Sequence, residues 1–100
     1  MIKATALYGH PTDPGAFERY YAETHMPLVA KMAGPVRTEA ARVVGTPSGE
    51  KPAYYRVFEF WFESMEQLQA SFGSKEGAAV MADVPNYATG GVTLLISTVD

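Results

Sequence analysis

Cysteine is absent from this chain. That rules out disulfides, thiolate nucleophiles and thiolate metal sites, and leaves the redox compartment undetermined. Runs of basic residues are absent too. The eight lysines and arginines stand singly along the sequence and the net charge is −3. Phosphate backbones need clustered positive charge, so no nucleic-acid partner is expected. No apolar run reaches membrane-spanning length. The opening MIKATALYG reads as a strand, without the basic flank and apolar stretch of a signal peptide. No membrane partner and a cytoplasmic location are therefore expected. Phosphate-cradling glycine motifs are missing, and Gly90–Gly91 precede a strand rather than a helix. There is no G-x-S-x-G elbow either. Histidine is scarce, with only His10 and His25. His10 and Asp13 make an H-x-x-D pair, too few ligands to suggest a metal.

What remains is an ordinary folding composition. The chain has 100 residues, 47% apolar and 19% charged, enough for one domain over 1–100 with a core of its own. Ile2 to Tyr8 alternate, with Ile2, Ala4, Ala6 and Tyr8 on one face. A turn-rich GHPTDPG follows, and Asp13 before Pro14 predicts a capped helix start. That helix carries Phe17, Tyr21, Thr24 and Leu28 as its stripe and ends at the AGP of 33–35. A weaker strand over 36–46, a loop, and the aromatic strand AYYRVFEFWFE come next. Ser64 with Gln67 predicts a second capped helix, and Ser74 a further short helix from Lys75 to Ala82. Val92 to Val99 closes the chain as a strand. The order β-α-β-β-α-β predicts an α+β, ferredoxin-like subunit: an antiparallel four-stranded sheet with helices on one face.

The aromatic strand carries large side chains on both faces. Tyr54, Arg56, Phe58, Phe60 and Phe62 share one; Tyr55, Val57, Glu59, Trp61 and Glu63 share the other. Helices cover a single face, and an aromatic face left in water is an aggregation hazard. The economical expectation is a homodimer, sheet against sheet, with a pocket trapped between. Which face the helices take is open at this stage.

FERYYAETHMPLV, residues 17–29, holds the most distinctive residue. At about 100° per residue, His25 falls on the border of the helical stripe. Pro27 cannot donate to the carbonyl of Glu23 and disfavours helical angles at Met26, so a kink is expected there. His25 then has two readings: it satisfies a freed carbonyl, or it presents its ring to a cavity as an acid/base group. Glu59, among aromatics on a strand, is a candidate base if buried and an ordinary carboxylate if the face is wet. Arg56 reads as an ion-pair or stacking partner. Tyr8, Tyr21, Glu59 and Trp61 are the candidates for substrate contact.

These residues carry a resemblance. The strand ending in LYG with Pro11 and Asp13 beyond it, F17-x-x-Y20-Y21-x-x-x-H25-x-P27-L28, and F60-W61-F62 before S64-M65-E66-Q67-L68 together resemble the EthD family of the dimeric α/β-barrel superfamily. The resemblance covers nearly the whole chain and is most specific around H-x-P-L. It implies a barrel-like homodimer with an apolar pocket in each subunit and His25 beside it as the motif histidine. It also implies oxidoreductase-associated chemistry in ether degradation, next to a cytochrome P450 system. Superfamily relatives include monooxygenases, cyclases, decarboxylases, lactone isomerases and haem proteins, and fold alone does not choose among them.

Two functions fit these residues. One is a cofactor-independent enzyme acting on a small hydrophobic or aromatic ring compound in a catabolic or polyketide-type pathway, with His25 catalytic. The other is a non-catalytic ligand-binding or accessory protein to a redox system. Haem ligated by His25 is a minor third.

Overall fold

Side-chain alternation builds the sheet, and small residues at its centre shape what lies above it. The computed structural model describes all of residues 1–100. Strand β1 (Ile2–Tyr8) leads into helix α1 (Pro14–Tyr20), a widened helical turn (Tyr21–His25) and helix α2 (Met26–Val29). Strands β2 (Arg37–Arg42) and β3 (Arg56–Phe62) follow, then helices α3 (Met65–Gly73) and α4 (Lys75–Asp83), and strand β4 (Val92–Thr98). The strand order is β2-β3-β1-β4, with every neighbouring pair antiparallel. This is the ferredoxin-like arrangement expected from the element order.

The expected caps form. Asp13 Oδ1 accepts the Ala16 N–H at 3.1 Å, Ser64 Oγ that of Gln67 at 3.2 Å, and Ser74 Oγ that of Gly77 at 3.0 Å. Each satisfies an amide that the first helical turn leaves without an internal partner. Gly77 also lets α4 start directly against α3: a Cβ there would sit 2.2 Å from the Ser71 carbonyl oxygen. Strand β2 is shorter than its sequence signal and exposed throughout, as suits a polar edge strand. Helix α4 runs one residue beyond the expected Ala82, so that Asp83 is its last residue.

The helices take the phenylalanine face. Phe58, Phe60 and Phe62 are buried beneath them, Phe62 completely. Arg56 at the start of the same strand forms an ion pair with Glu18 of α1, as a stacking or pairing arginine should. On the outer face, Trp61 is half-buried between the guanidinium of Arg37, 4.6 Å from its ring centre, and the ammonium of Lys3, 5.6 Å away.

Proline 27 does not break the helix. Met26 keeps helical angles (φ −59°, ψ −38°), and its N–H reaches back five residues to the Tyr21 carbonyl. The chain answers the missing donor by widening one turn. In a wider turn the pyrrolidine ring and the Glu23 carbonyl need not collide. The widening also re-phases the helix. Phe17, Tyr21, His25 and Val29 are all buried, although positions four apart drift by about 40° per step in a regular α-helix. Thr24, expected in the stripe, is exposed, and Leu28 is only half-buried. His25 has moved from the expected border to the interior, at 2% exposure.

Candidate functional site

A cavity of about 280 Å³ lies between the sheet and the helices. Its floor is cut by two alanines. Ala4 pairs across the sheet with Phe60 and Ile96, and Ala6 with Phe58 and Leu94. Small side chains on the central strand, flanked by large ones, leave a trough that the helices roof over. The trough opens toward the edge strand, where Leu94 and Ile96 are 52% and 57% exposed even though they share the helix-covered face. Of eighteen lining residues sixteen are hydrophobic, the exceptions being His25 and Thr5. The Thr5 hydroxyl belongs to the outer face, where it reaches Glu59 at 3.5 Å. The other lining residues with polar side-chain atoms are His25 and Tyr8.

The widened turn aims His25 at the end of α4. His25 Nδ1 lies 3.0 Å from Asp83 Oδ2, with both residues buried. The other carboxylate oxygen accepts from the Tyr20 hydroxyl at 2.6 Å and the Asn86 side-chain amide at 3.0 Å. Burial alone would raise the Asp83 pKa. The hydrogen bonds from Tyr20, Asn86 and His25 outweigh it and hold the carboxyl below its ordinary range. For His25 burial dominates and lowers its pKa, against the opposing hydrogen bond and charge of Asp83.

The hydrogen bond to Asp83 selects a tautomer. An ionised carboxylate only accepts, so Nδ1 carries the hydrogen. A neutral ring has one N–H, so Nε2 is left with its lone pair. Nε2 has no partner in the chain, and the ring lines the cavity. The His25 ring is oriented from behind by Asp83, and Asp83 in turn by Tyr20 and Asn86.

Tyr87 links this pair to Tyr8. Its ring centre is 4.6 Å from that of His25, and its hydroxyl is 2.6 Å from the Tyr8 hydroxyl. Burial raises the pKa of both tyrosines, so both stay protonated at neutral pH. Tyr21 stacks behind His25, 5.9 Å between ring centres, but does not line the cavity. The Arg56 guanidinium lies over the Tyr21 ring at 4.6 Å. The Tyr21 hydroxyl is buried without a hydrogen-bond partner.

Of the residues singled out from the sequence, the fold brings Tyr8, Tyr21 and His25 together. It sets Glu59 and Trp61 apart, on the outer face of the sheet. There Glu59 pairs with Lys3 at 2.9 Å and is not a buried base. His10 Nε2 lies 2.7 Å from the Pro52 carbonyl and Asp13 caps α1, so the H-x-x-D pair is engaged elsewhere. Asp83 escaped the sequence reading. A signal for it existed: Gly77, Val80, Val84 and Tyr87 are buried at helical spacing, and Asp83 is the acidic residue inside that stripe.

Comparisons with known proteins show the family and the fold. The family model for the EthD domain matches residues 9–91. An uncharacterized 11.0 kDa protein from the thcB–thcC intergenic region of Rhodococcus erythropolis is 38% identical over 97 residues, 97% of this chain and 93% of that protein. The crystal structure of an EthD family protein from Bacillus halodurans is 35% identical, with a TM-score of 0.92 over 100% of this chain and 99% of that one. A protein of unknown function from Thermobifida fusca, described as dimeric and ferredoxin-like, shares the fold at 12% identity. Its TM-score is 0.73 over 98% of this chain and 90% of that one. No helix is long and apolar enough to cross a membrane.

Proposed function

Because the chain belongs to the EthD domain family, we propose that it is a cofactor-independent acid/base enzyme acting on a small hydrophobic or ring compound, with His25 as the proton-transfer group. The observation that carries this reading is the His25–Asp83 pair at the wall of an otherwise apolar cavity. A histidine needed only for packing has no use for a buried carboxylate held by two further donors. A general base needs one, to fix its tautomer and to stabilise the imidazolium that forms. Tyr8 supplies the second polar contact, and Tyr21 supports the ring from behind. In the oxidoreductase-associated and degradative role implied by the family, His25 would supply proton transfer alone, and a separate redox partner would carry the electrons.

The test is turnover against a panel of small ring ketones, phenols and lactones, followed by deuterium uptake from solvent, with His25→Gln as control. The enzyme reading expects exchange in the wild type and none in a folded variant. Exchange that survives His25→Gln removes His25 from the chemistry. Binding without any exchange favours the accessory, ligand-holding role.

The same proposal includes a homodimer formed through the outer sheet face. Trp61 and Val57 are only half-buried there, and Leu95 is exposed. Native mass spectrometry is expected to give a dimer, and Trp61→Glu a monomer with its helices intact. A wild-type monomer at micromolar concentration would refute the pairing.

A further inference from the structure

The charges around the cavity say what it excludes. None of the eight lysines and arginines lines it. The nearest on the sheet are committed elsewhere: Arg56 to Glu18, Lys3 to Glu59 on the opposite face, Arg37 to Glu39. The one full charge behind the wall is the Asp83 carboxylate, a single hydrogen bond from His25. An anion entering this trough would lose its water, find no cation, and meet a carboxylate across one imidazole.

Resting on the acid/base reading above, we infer that the site takes an uncharged, largely hydrocarbon molecule bearing one carbonyl group and rejects carboxylates. His25 Nε2 removes a proton from the carbon beside the carbonyl, and the Tyr8 hydroxyl donates to the carbonyl oxygen. The C–H bond breaks and an N–H bond forms at Nε2. The electron pair moves into the new carbon–carbon double bond and the carbonyl π pair onto oxygen. The charges then alternate: enolate, imidazolium, Asp83 carboxylate. With a neutral substrate, the imidazolium lies between two anions and the site's net charge is unchanged. A carboxylate substrate would put a dianion there with one cation to hold it. Tyr8 suits the oxygen because Tyr87, 2.6 Å away, can donate to it and free its hydrogen for the cavity.

Matched probes separate these outcomes: acetophenone against benzoate, and 2-acetylnaphthalene against 2-naphthoate. Met26 and Met81 line the cavity, and their methyl groups report binding by NMR. At least one ketone is expected to shift both methyls and to bind about 30-fold or more tightly than its carboxylate. Equal affinity within a pair, or no binding by either ketone, overturns the inference. Ala6→Leu fills the trough and should abolish the shifts; shifts that persist place the ligand elsewhere and overturn it too. Tyr8→Phe should still bind the ketone but lose roughly 100-fold in solvent deuterium exchange at the acetyl group. Undiminished exchange removes Tyr8 from the step. Exchange by His25→Gln would instead overthrow the acid/base reading itself, while leaving the preference for neutral ligands standing.

Discussion

Replacing Asp83 with asparagine is expected to cost nearly as much turnover as replacing His25 itself, roughly 10²–10⁴-fold. The side chain keeps its size and can still accept the Tyr20 hydrogen bond, but it brings an N–H donor to a cluster built of donors. With the amide nitrogen toward His25, Nδ1 must accept. The hydrogen then moves to Nε2, and the lone pair facing the cavity is gone. Nitrogen-15 NMR of the His25 ring reads this directly: the wild type shows hydrogen on Nδ1 at neutral pH, the variant on Nε2. An unchanged tautomer together with unchanged turnover would show that Asp83 does not orient the base.

The pH dependence has a definite sign. Folding lowers the His25 pKa from 6.5, so the ring is already mostly neutral at that pH. Activity falls only as pH drops through the folded pKa, below 6.5. Stability moves the same way. The unfolded chain takes up the His25 proton first, so stability declines as pH falls from about 6.5 to the folded value. Asp83, held below 3.8, adds a second loss at more acid pH. Asparagine at 83 removes that second loss.

Phe62→Ala is expected to destabilise the fold by about 3–5 kcal/mol, a large share of the roughly 5–15 kcal/mol that holds a domain of this kind together. Phe62 is fully buried, packed beside Phe60 and Phe72 with ring centres 6.2 and 5.8 Å away. Gly34 approaches from the other side, where an added Cβ would lie 3.7 Å from the ring. The backbone of β3 cannot collapse into the hole without losing its pairing to β1 and β2. Its sequence neighbour is the control. Trp61→Ala removes a larger side chain, but from the outer face, and should cost the isolated subunit about 1 kcal/mol or less in lost stacking. Urea denaturation of both variants, at dilutions where the subunits are separated, compares the two faces. Equal losses would contradict the assignment of the phenylalanine face as the core.

Much of this fold is legible in the sequence because strands and caps are local signals. Alternation in IKATALY and RVFEFWF, and single oxygen-bearing residues at Asp13, Ser64 and Ser74, place strands and helix starts with no knowledge of the rest. The choice of face was not legible, since phenylalanine and tryptophan are equally credible core residues. Nor was the depth of His25. A helical wheel assumes equal rotation per residue, and one wide turn breaks that assumption at the position that mattered. Asp83 stands 58 positions away from its partner. Each residue is a polar side chain in an apolar stripe, and only the packing of α4 against the widened turn shows that the two anomalies answer each other.

The widened turn also bears on how such a chain changes over generations. It amounts to one residue more than a regular helix needs, accommodated without a loop. Loss of a single codon there, for exposed Ala22 for example, together with replacement of Pro27 by a residue that can donate to the Glu23 carbonyl, would let the helix close into ordinary register. Phe17 and Tyr21 could then stay on the core side only by turning His25 about 100° away from it. The sheet, the caps and the phenylalanine core would be untouched. Those two changes would thus separate the scaffold from its base, and their reversal would restore it.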